Sequence, residues 1–323
     1  MSETFNCHLV LLENCLLKCK MCHMWECKND PEEMPAEAWM DLLFSLKDLC
    51  GKQTHVHFVG GEPLMKRGII DIIRFSSQNK FISSMTTNGF LIDKDMALRI
   101  AGSGLDTLVL SLDSLNPRTH DYLRGVPGVY NKVMDAIGYF EAIAAEKPRI
   151  HVVTTIMASN IKELADLALW AQDKKEVANI SFQAVMQPFF TPGQGAWYND
   201  EAFSFLWPKD QNELNRSLDE LIKLKKSGLK ITNASSQFEV FRSYFSSPEN
   251  FIKKGACNLG VDSLTVNSSG KMFFCLDKEP IGDIRKDDVK KAWFSDKAES
   301  VRQQIKSCKK NCKLMVNCFF KEE

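Results

Sequence analysis

The 323-residue sequence predicts an α/β protein, a partial (β/α)6 TIM-like barrel with a small cysteine-rich domain at its C-terminus. Apolar β-branched runs alternate with amphipathic stretches over the first two thirds, the pattern of parallel strands joined by crossover helices. Six such units follow in a row, which suggests an open form of the parallel β/α barrel. From Gly255 onward the alternation gives way to short strands and cysteines.

Strands are expected at residues 7–12, 55–59, 82–87, 107–112, 151–157 and 179–184. Helical periodicity falls between them at 35–49, 67–78, 93–101, 130–145 and 161–173. Residues 187–208, rich in aromatics, Gly and Pro, interrupt the alternation after the sixth strand; such a loop suits a substrate cover or packing for the barrel's open edge. Helices at 211–226 and 237–245 follow. The domain boundary is placed near Ser247, between a barrel of residues 1–247 and an appendage of 248–323.

Charge is balanced, 41 basic against 41 acidic residues, so no global electrostatic argument favours nucleic acid or an anionic membrane as partner. No run approaches the roughly 20 apolar residues that cross a bilayer, and MSETFNCHLV has neither a basic start nor a cleavable apolar segment, so a cytoplasmic location is expected. Eleven cysteines in a chain of this size, without an export signal and largely in two tight groups, point to metal rather than disulfides.

The first group, Cys15, Cys19 and Cys22, forms C-x3-C-x2-C in CLLKCKMC, just after the first expected strand. Three thiolates on one short loop suit a [4Fe–4S] cube, each holding one iron and leaving the fourth open. Zinc would instead want a fourth ligand such as His23 or Cys27. Further motifs follow the strands in order: Gly60, Gly61, Glu62 and Pro63 in VGGEPL, Thr87 and Asn88 in TTNG, Ser111 and Asp113 in SLDS. Arg124 lies in HDYLRG, and Gln183 ends the sixth strand.

Over residues 5–185 these motifs resemble the radical S-adenosylmethionine (SAM) superfamily. The resemblance implies that Met21 is the hydrophobic residue before the last cluster cysteine and that the GGEP segment engages the SAM amino group. It also implies that Thr87, Asn88, Ser111 and Asp113 contact the ribose or methionine portion, and that Arg124 pairs with the SAM carboxylate. A helix cap or a surface ion pair is the plainer reading of Asp113 and Arg124. Gln183 faces the barrel mouth by register, for SAM or substrate contact. By the same resemblance SAM chelates the open iron, and an electron from the cluster, delivered by a flavodoxin- or ferredoxin-type reductant, cleaves it to a 5′-deoxyadenosyl radical that abstracts hydrogen.

The second group begins with Cys257 and Cys275 in CNLGVDSLTVNSSGKMFFC, where the alternation around Gly270 signals a hairpin that returns one cysteine toward the other. Cys308, Cys312 and Cys318 follow in CKKNCKLMVNC. This tail resembles the auxiliary-cluster domains called SPASM and twitch. The resemblance implies one auxiliary [4Fe–4S] cluster on Cys257, Cys275 and two of the last three cysteines; a zinc knuckle is the alternative.

Cys7 and Cys50 read as buried small hydrophobes, and His23 and Trp25 as packing around the cluster. Cys27 reads as an inert loop thiol or, in a sharper reading, as a hydrogen donor to a substrate radical. Phe189, Phe190, Trp197 and Tyr198 either meet substrate at the mouth or form the long loop's own small core. The expected function is oxidation or rearrangement of a small natural-product precursor, the oxidation suggested by a likeness to twitch-domain dehydrogenases. A peptide maturase making a thioether, a carbon–carbon crosslink or an epimerised residue is the alternative, and a non-catalytic iron–sulfur electron carrier a third.

Overall fold

The computed structural model describes residues 4–27, 33–47, 49, 53–189, 191, 195–250, 257, 259–309, 312 and 316–318. The strands are β1 Thr4–Val10, β2 Gln53–Val59, β3 Ile82–Thr87, β4 Thr107–Ser111, β5 Arg149–Ile156, β6 Val177–Ala184, β7 Ser263–Val266, β8 Lys271–Phe273 and β9 Gly282–Asp283. The helices are α1 Ala36–Leu46, α2 Ile69–Gln78, α3 Lys94–Ala101, α4 Pro117–Arg124, α5 Val129–Ala142, α6 Leu164–Asp173, α7 Gln211–Lys226, α8 Ser235–Ser246, α9 Val289–Trp293 and α10 Asp296–Lys306.

Among the described residues all nine strands form one sheet in the order β6-β5-β4-β3-β2-β1-β7-β8-β9. β1 to β6 are parallel neighbours in chain order, so right-handed crossovers place their helices on one face, as in a barrel that stops before closing. The alternation within β1, β2, β4 and β5 explains that layering. Phe5, Cys7, Leu9, Val56, Phe58, Leu108, Leu110, Ile150 and Val152 are wholly or almost wholly buried, while the residues between them are more exposed. Beyond residue 247 the sheet simply continues, because β7 pairs parallel with β1 over Asn6–Leu9 and carries the expected hairpin to β8. Gly270 turns it at φ +84.

The C-terminal elements share the barrel's core. Trp293 of α9 packs edge-on against Phe5 at 5.3 Å and Phe274 at 4.9 Å. Arg302 of α10 lies over both Phe274 and Trp293 and donates to Gly260 O at 2.8 Å and Trp293 O at 2.7 Å.

Two differences from the sequence expectation matter for function. β1 spans Thr4–Val10 rather than 7–12, because Leu11 and Leu12, though buried, already turn toward the loop that follows. The sequence reading placed no helix between β4 and residue 130, yet α4 occupies that space. Its signals are Asn116, whose side chain caps Arg118 N and Thr119 N, Pro117 at the first helical position, and Gly125 at φ +71 past the end.

Candidate active site at the mouth of the barrel

The loop bearing Cys15, Cys19 and Cys22 leaves β1 at Leu11 and is stitched to the end of β2. Leu11 N donates to Val59 O at 2.9 Å, Gly61 N to Leu12 O at 2.9 Å and Glu62 N to Asn14 O at 3.1 Å. A Cβ on Gly61 would stand 1.7 Å from Asn14 O, and one on Gly60 2.4 Å from Leu12 O. The close backbone approach that these glycines permit is therefore to the cysteine loop itself. On its other flank Lys20 N donates to Leu123 O at 2.8 Å, and a Cβ on Gly125 would meet Lys18 O at 2.1 Å. The end of α4 thus presses directly on the loop.

Cys19 is buried, and Cys15 and Cys22 are half-buried. Burial pushes the Cys15 thiol up to about 11 and Cys19 to about 12, and raises Cys22; Arg124 opposes the rise at Cys19 and Cys22. Leu17 N and Asn88 Nδ2 point at Cys15 Sγ from 3.5 and 3.6 Å. Three desolvated thiols on one loop need nearby positive charge to ionise, which irons supply. Among the described residues no three Cys, His, Asp or Glu side chains form a group that could hold a metal ion directly. That donor set suits a multi-iron cube, in which each iron takes its own thiolate, better than a single ion. Met21, next to Cys22, is half-buried against the core.

Glu62 is fully buried, and its carboxylate accepts from Thr87 Oγ1 at 2.7 Å, Asn88 N at 2.9 Å and Leu64 N at 3.1 Å. Burial raises its pKa while those donors lower it. Glu62 therefore pins the end of β3 against the segment after β2, and Pro63 beside it is buried. Asp113 and Arg124, read from sequence as SAM contacts, pair with each other: Arg124 Nη2 lies 2.7 Å from Asp113 Oδ2, both groups buried. The plainer reading of a surface ion pair fails on that burial.

Asp113 is also held by Thr155 N donating to Oδ1 at 2.9 Å, by its own N–H to His120 Nδ1 at 3.1 Å, and by Asn160 Nδ2 donating to its carbonyl at 2.7 Å. His120, Thr155 and Asn160 are supports that the sequence reading missed. Only the Asn-Pro cap before α4 hinted at the first of them. Arg124 Nε is buried without a hydrogen-bond partner among the described residues, an orphaned donor of the kind a carboxylate satisfies. Ser111, at the end of β4, is 8% exposed, whereas Gln183 of β6 is exposed.

The aromatic loop divides. Trp197 and Tyr198 are buried in a cluster with Trp207 of the same loop and Tyr244 and Phe245 of α8, ring centroids 4.8 to 5.5 Å from Trp207, so the loop's core is shared with α8. Phe203 meets His23 edge-on at 5.4 Å, and His23 meets Trp25 at 5.8 Å, which closes the loop onto the cysteine loop. Phe189 is exposed; Phe190 and Cys50 lie outside the described residues. Cys27 is half-buried, its thiol raised by burial and by Glu13, Cys22 and Glu26.

Of the second group, Cys275 stands near enough to Cys257 and Cys312 for both to raise its pKa, after burial itself. Cys308 and Cys318 are exposed. Asn317 exchanges two 2.8 Å hydrogen bonds with the backbone of Ala184, and Gln237 donates to Cys318 O at 3.0 Å, so the tail is tied to the end of β6.

The family model of the radical SAM superfamily matches residues 9–171, and that of an iron–sulfur cluster-binding domain, SPASM, matches 257–318. The chain belongs to the radical SAM superfamily. Its cofactors are SAM, a [4Fe–4S] cluster and an auxiliary iron–sulfur centre. Within that family the chain is 26% identical over 274 residues to an AdoMet-dependent heme synthase of Nitratidesulfovibrio vulgaris, covering 83% of this chain and 70% of that protein. A Methanosarcina barkeri protein of the same name is 25% identical, over 67% of this chain and 58% of its own length. A PqqA peptide cyclase of Rhizobium meliloti is 25% identical over 53% of this chain and 46% of its own. The fold is like that of Streptococcus suis SuiB bound to S-adenosylmethionine, with a TM-score of 0.71 and 17% identity over 97% of this chain and 73% of that one.

Proposed function

We propose that the chain oxidises or rearranges a C–H centre in a small natural-product precursor, with electrons from a flavodoxin- or ferredoxin-type protein. When bound, the reduced cluster and SAM supply a 5′-deoxyadenosyl radical that abstracts the hydrogen. Cys15, Cys19 and Cys22 would hold three irons. Arg124, steadied by Asp113, would present its free Nε to the SAM carboxylate, and Glu62 would keep the Thr87–Asn88 turn in place beside Cys15. Met21, Gly60, Gly61, Pro63, Ser111 and Gln183 complete the wall around SAM. Cys257, Cys275, Cys312 and one of Cys308 and Cys318 would hold the auxiliary centre, suited to accept the second electron of an oxidation. Cys27 stands apart as a thiol able to return a hydrogen atom.

The observation that carries this reading is the meeting at one loop of three desolvated thiols, an orphaned buried guanidinium donor and the turn held by Glu62. A small-molecule substrate is favoured over a peptide because the likeness to the Nitratidesulfovibrio vulgaris heme synthase runs through 83% of the chain and that to the peptide cyclase through 53%. The test is anaerobic incubation of reconstituted protein with SAM and dithionite. It should release 5′-deoxyadenosine; a cluster-replete preparation that releases none returns the chain to the electron-carrier reading.

A further inference from the structure

The chemistry above uses the ends of the strands and leaves their inner faces unassigned. Four of the six histidines stand there: His8 on β1, His55 and His57 on β2, and His151 on β5, each alternating with a buried residue of the helix-covered face. His8 and His57 are register partners whose rings meet edge-on at 5.7 Å, and His55 lies 6.3 Å from His57. Ser84 Oγ is 2.9 Å from His55 Nε2 and 2.5 Å from His57 Nδ1. Thr86 Oγ1 is 3.1 Å from His57 Nε2, and Ser181 Oγ is 2.8 Å from His151 Nε2.

Neutral imidazoles suit such a chain, since each has one N–H to donate and one nitrogen to accept. Burial holds all four below the usual histidine range, His57 to about 3 and His151 to about 4, and at His57 the other three add to the effect. Two further charged groups bear on the row. Arg149 precedes His151 by two residues on the same face of β5, and Asp106, which acts on His55, is itself occupied by Ser83 N at 2.8 Å. The inner-face positions of β3 and β6 nearby are uncharged: Ser84, Thr86, Asn179, Ser181 and Gln183.

We infer that this row seats a small molecule bearing two or more carboxylates, whose oxygens accept from Arg149 and from the imidazoles of His8, His55 and His151, while His57, held by Ser84 and Thr86 at both nitrogens, backs them. More than one carboxylate suits the row because His57 and His151 stand on β2 and β5, three strands apart in the sheet, while the curl of the barrel keeps His151 near enough to act on His57. A single carboxylate reaches only one end. The inference rests on the proposed function, whose substrate class it specifies.

The test uses the cluster-loaded, SAM-bound protein and follows histidine imidazole C–H resonances by NMR while propane-1,2,3-tricarboxylate is added. Glycerol and inorganic phosphate serve as comparison arms. Signals of His8, His57 and His151 should move saturably with the tricarboxylate and stay still with glycerol, while His23 and His120, outside the row, do not respond. His8→Leu and His151→Leu should each weaken binding about tenfold, the loss of one charge-assisted hydrogen bond. An absence of saturable shifts, unchanged affinity in both variants, or a response to phosphate alone would overturn the assignment. SAM cleavage by the same samples needs no ligand in this row, so its failure would instead count against the proposed function.

Discussion

The two cysteine groups of this chain are built differently. The loop of Cys15, Cys19 and Cys22 is fixed by the barrel, with backbone bonds to the end of β2 on one side and the end of α4 on the other, glycines allowing the contact at both. The C-terminal cysteines come from separate places, a hairpin and the tail after α10. Among them Cys257 and Cys312 lie near enough to Cys275 to help raise its pKa, while Cys308 and Cys318 are exposed. A site made by the fold's own backbone register is set before any metal arrives. One gathered from separate segments gains more of its order from the metal itself.

Breaking each site in turn should expose this contrast. Cys19→Ala should lower 5′-deoxyadenosine release about a hundredfold or more and remove about four irons per chain. Cys275→Ala should also lose about four irons, yet keep reductive SAM cleavage within about threefold of the parent. Iron analysis beside the cleavage assay checks both. If Cys275→Ala abolished cleavage as fully as Cys19→Ala, the two sites would not be separable in this way.

The next effect concerns the frame of the first site. Asp113→Ala leaves the buried Arg124 without its partner and should destabilise the protein by about 3–5 kcal/mol, read from anaerobic urea unfolding. Gly61→Ala forces a methyl into Asn14 O and should cost about 1–3 kcal/mol while loosening the cysteine loop, seen as slower cluster uptake. Glu62→Gln replaces an acceptor of three hydrogen bonds by a group with one acceptor oxygen, and should cost about 1–3 kcal/mol in the same measurement. Cys27→Ala should leave stability within about 0.5 kcal/mol, because its half-buried thiol fills no core position.

Much of this was legible in the sequence. Hydrophobic alternation located six barrel strands, and the motifs fell at their ends because loops after parallel strands converge at one mouth. What escaped notice depended on contacts distant along the chain. Glu62 and Asn88 are neighbours only because β2 and β3 pair, and Asp113 meets Arg124 through α4, a short helix whose local signals lie in its caps rather than in a long apolar stripe. Trp197 and Tyr198 could face either way by sequence alone, and it is Trp207, backed by Tyr244 of α8, that encloses them. The histidine row is invisible along the chain, since His8 and His57 become partners only through strand register.

Central to the contrast is the proposal that SAM meets only the first site. The most direct measurement is electron paramagnetic resonance of the reduced protein with and without SAM, compared with a variant carrying Cys15→Ala, Cys19→Ala and Cys22→Ala together. SAM should change the spectrum of the parent and leave that of the triple variant, which keeps only its auxiliary centre, unaltered. A parent spectrum indifferent to SAM, or a triple variant that still responds to it, would contradict the account.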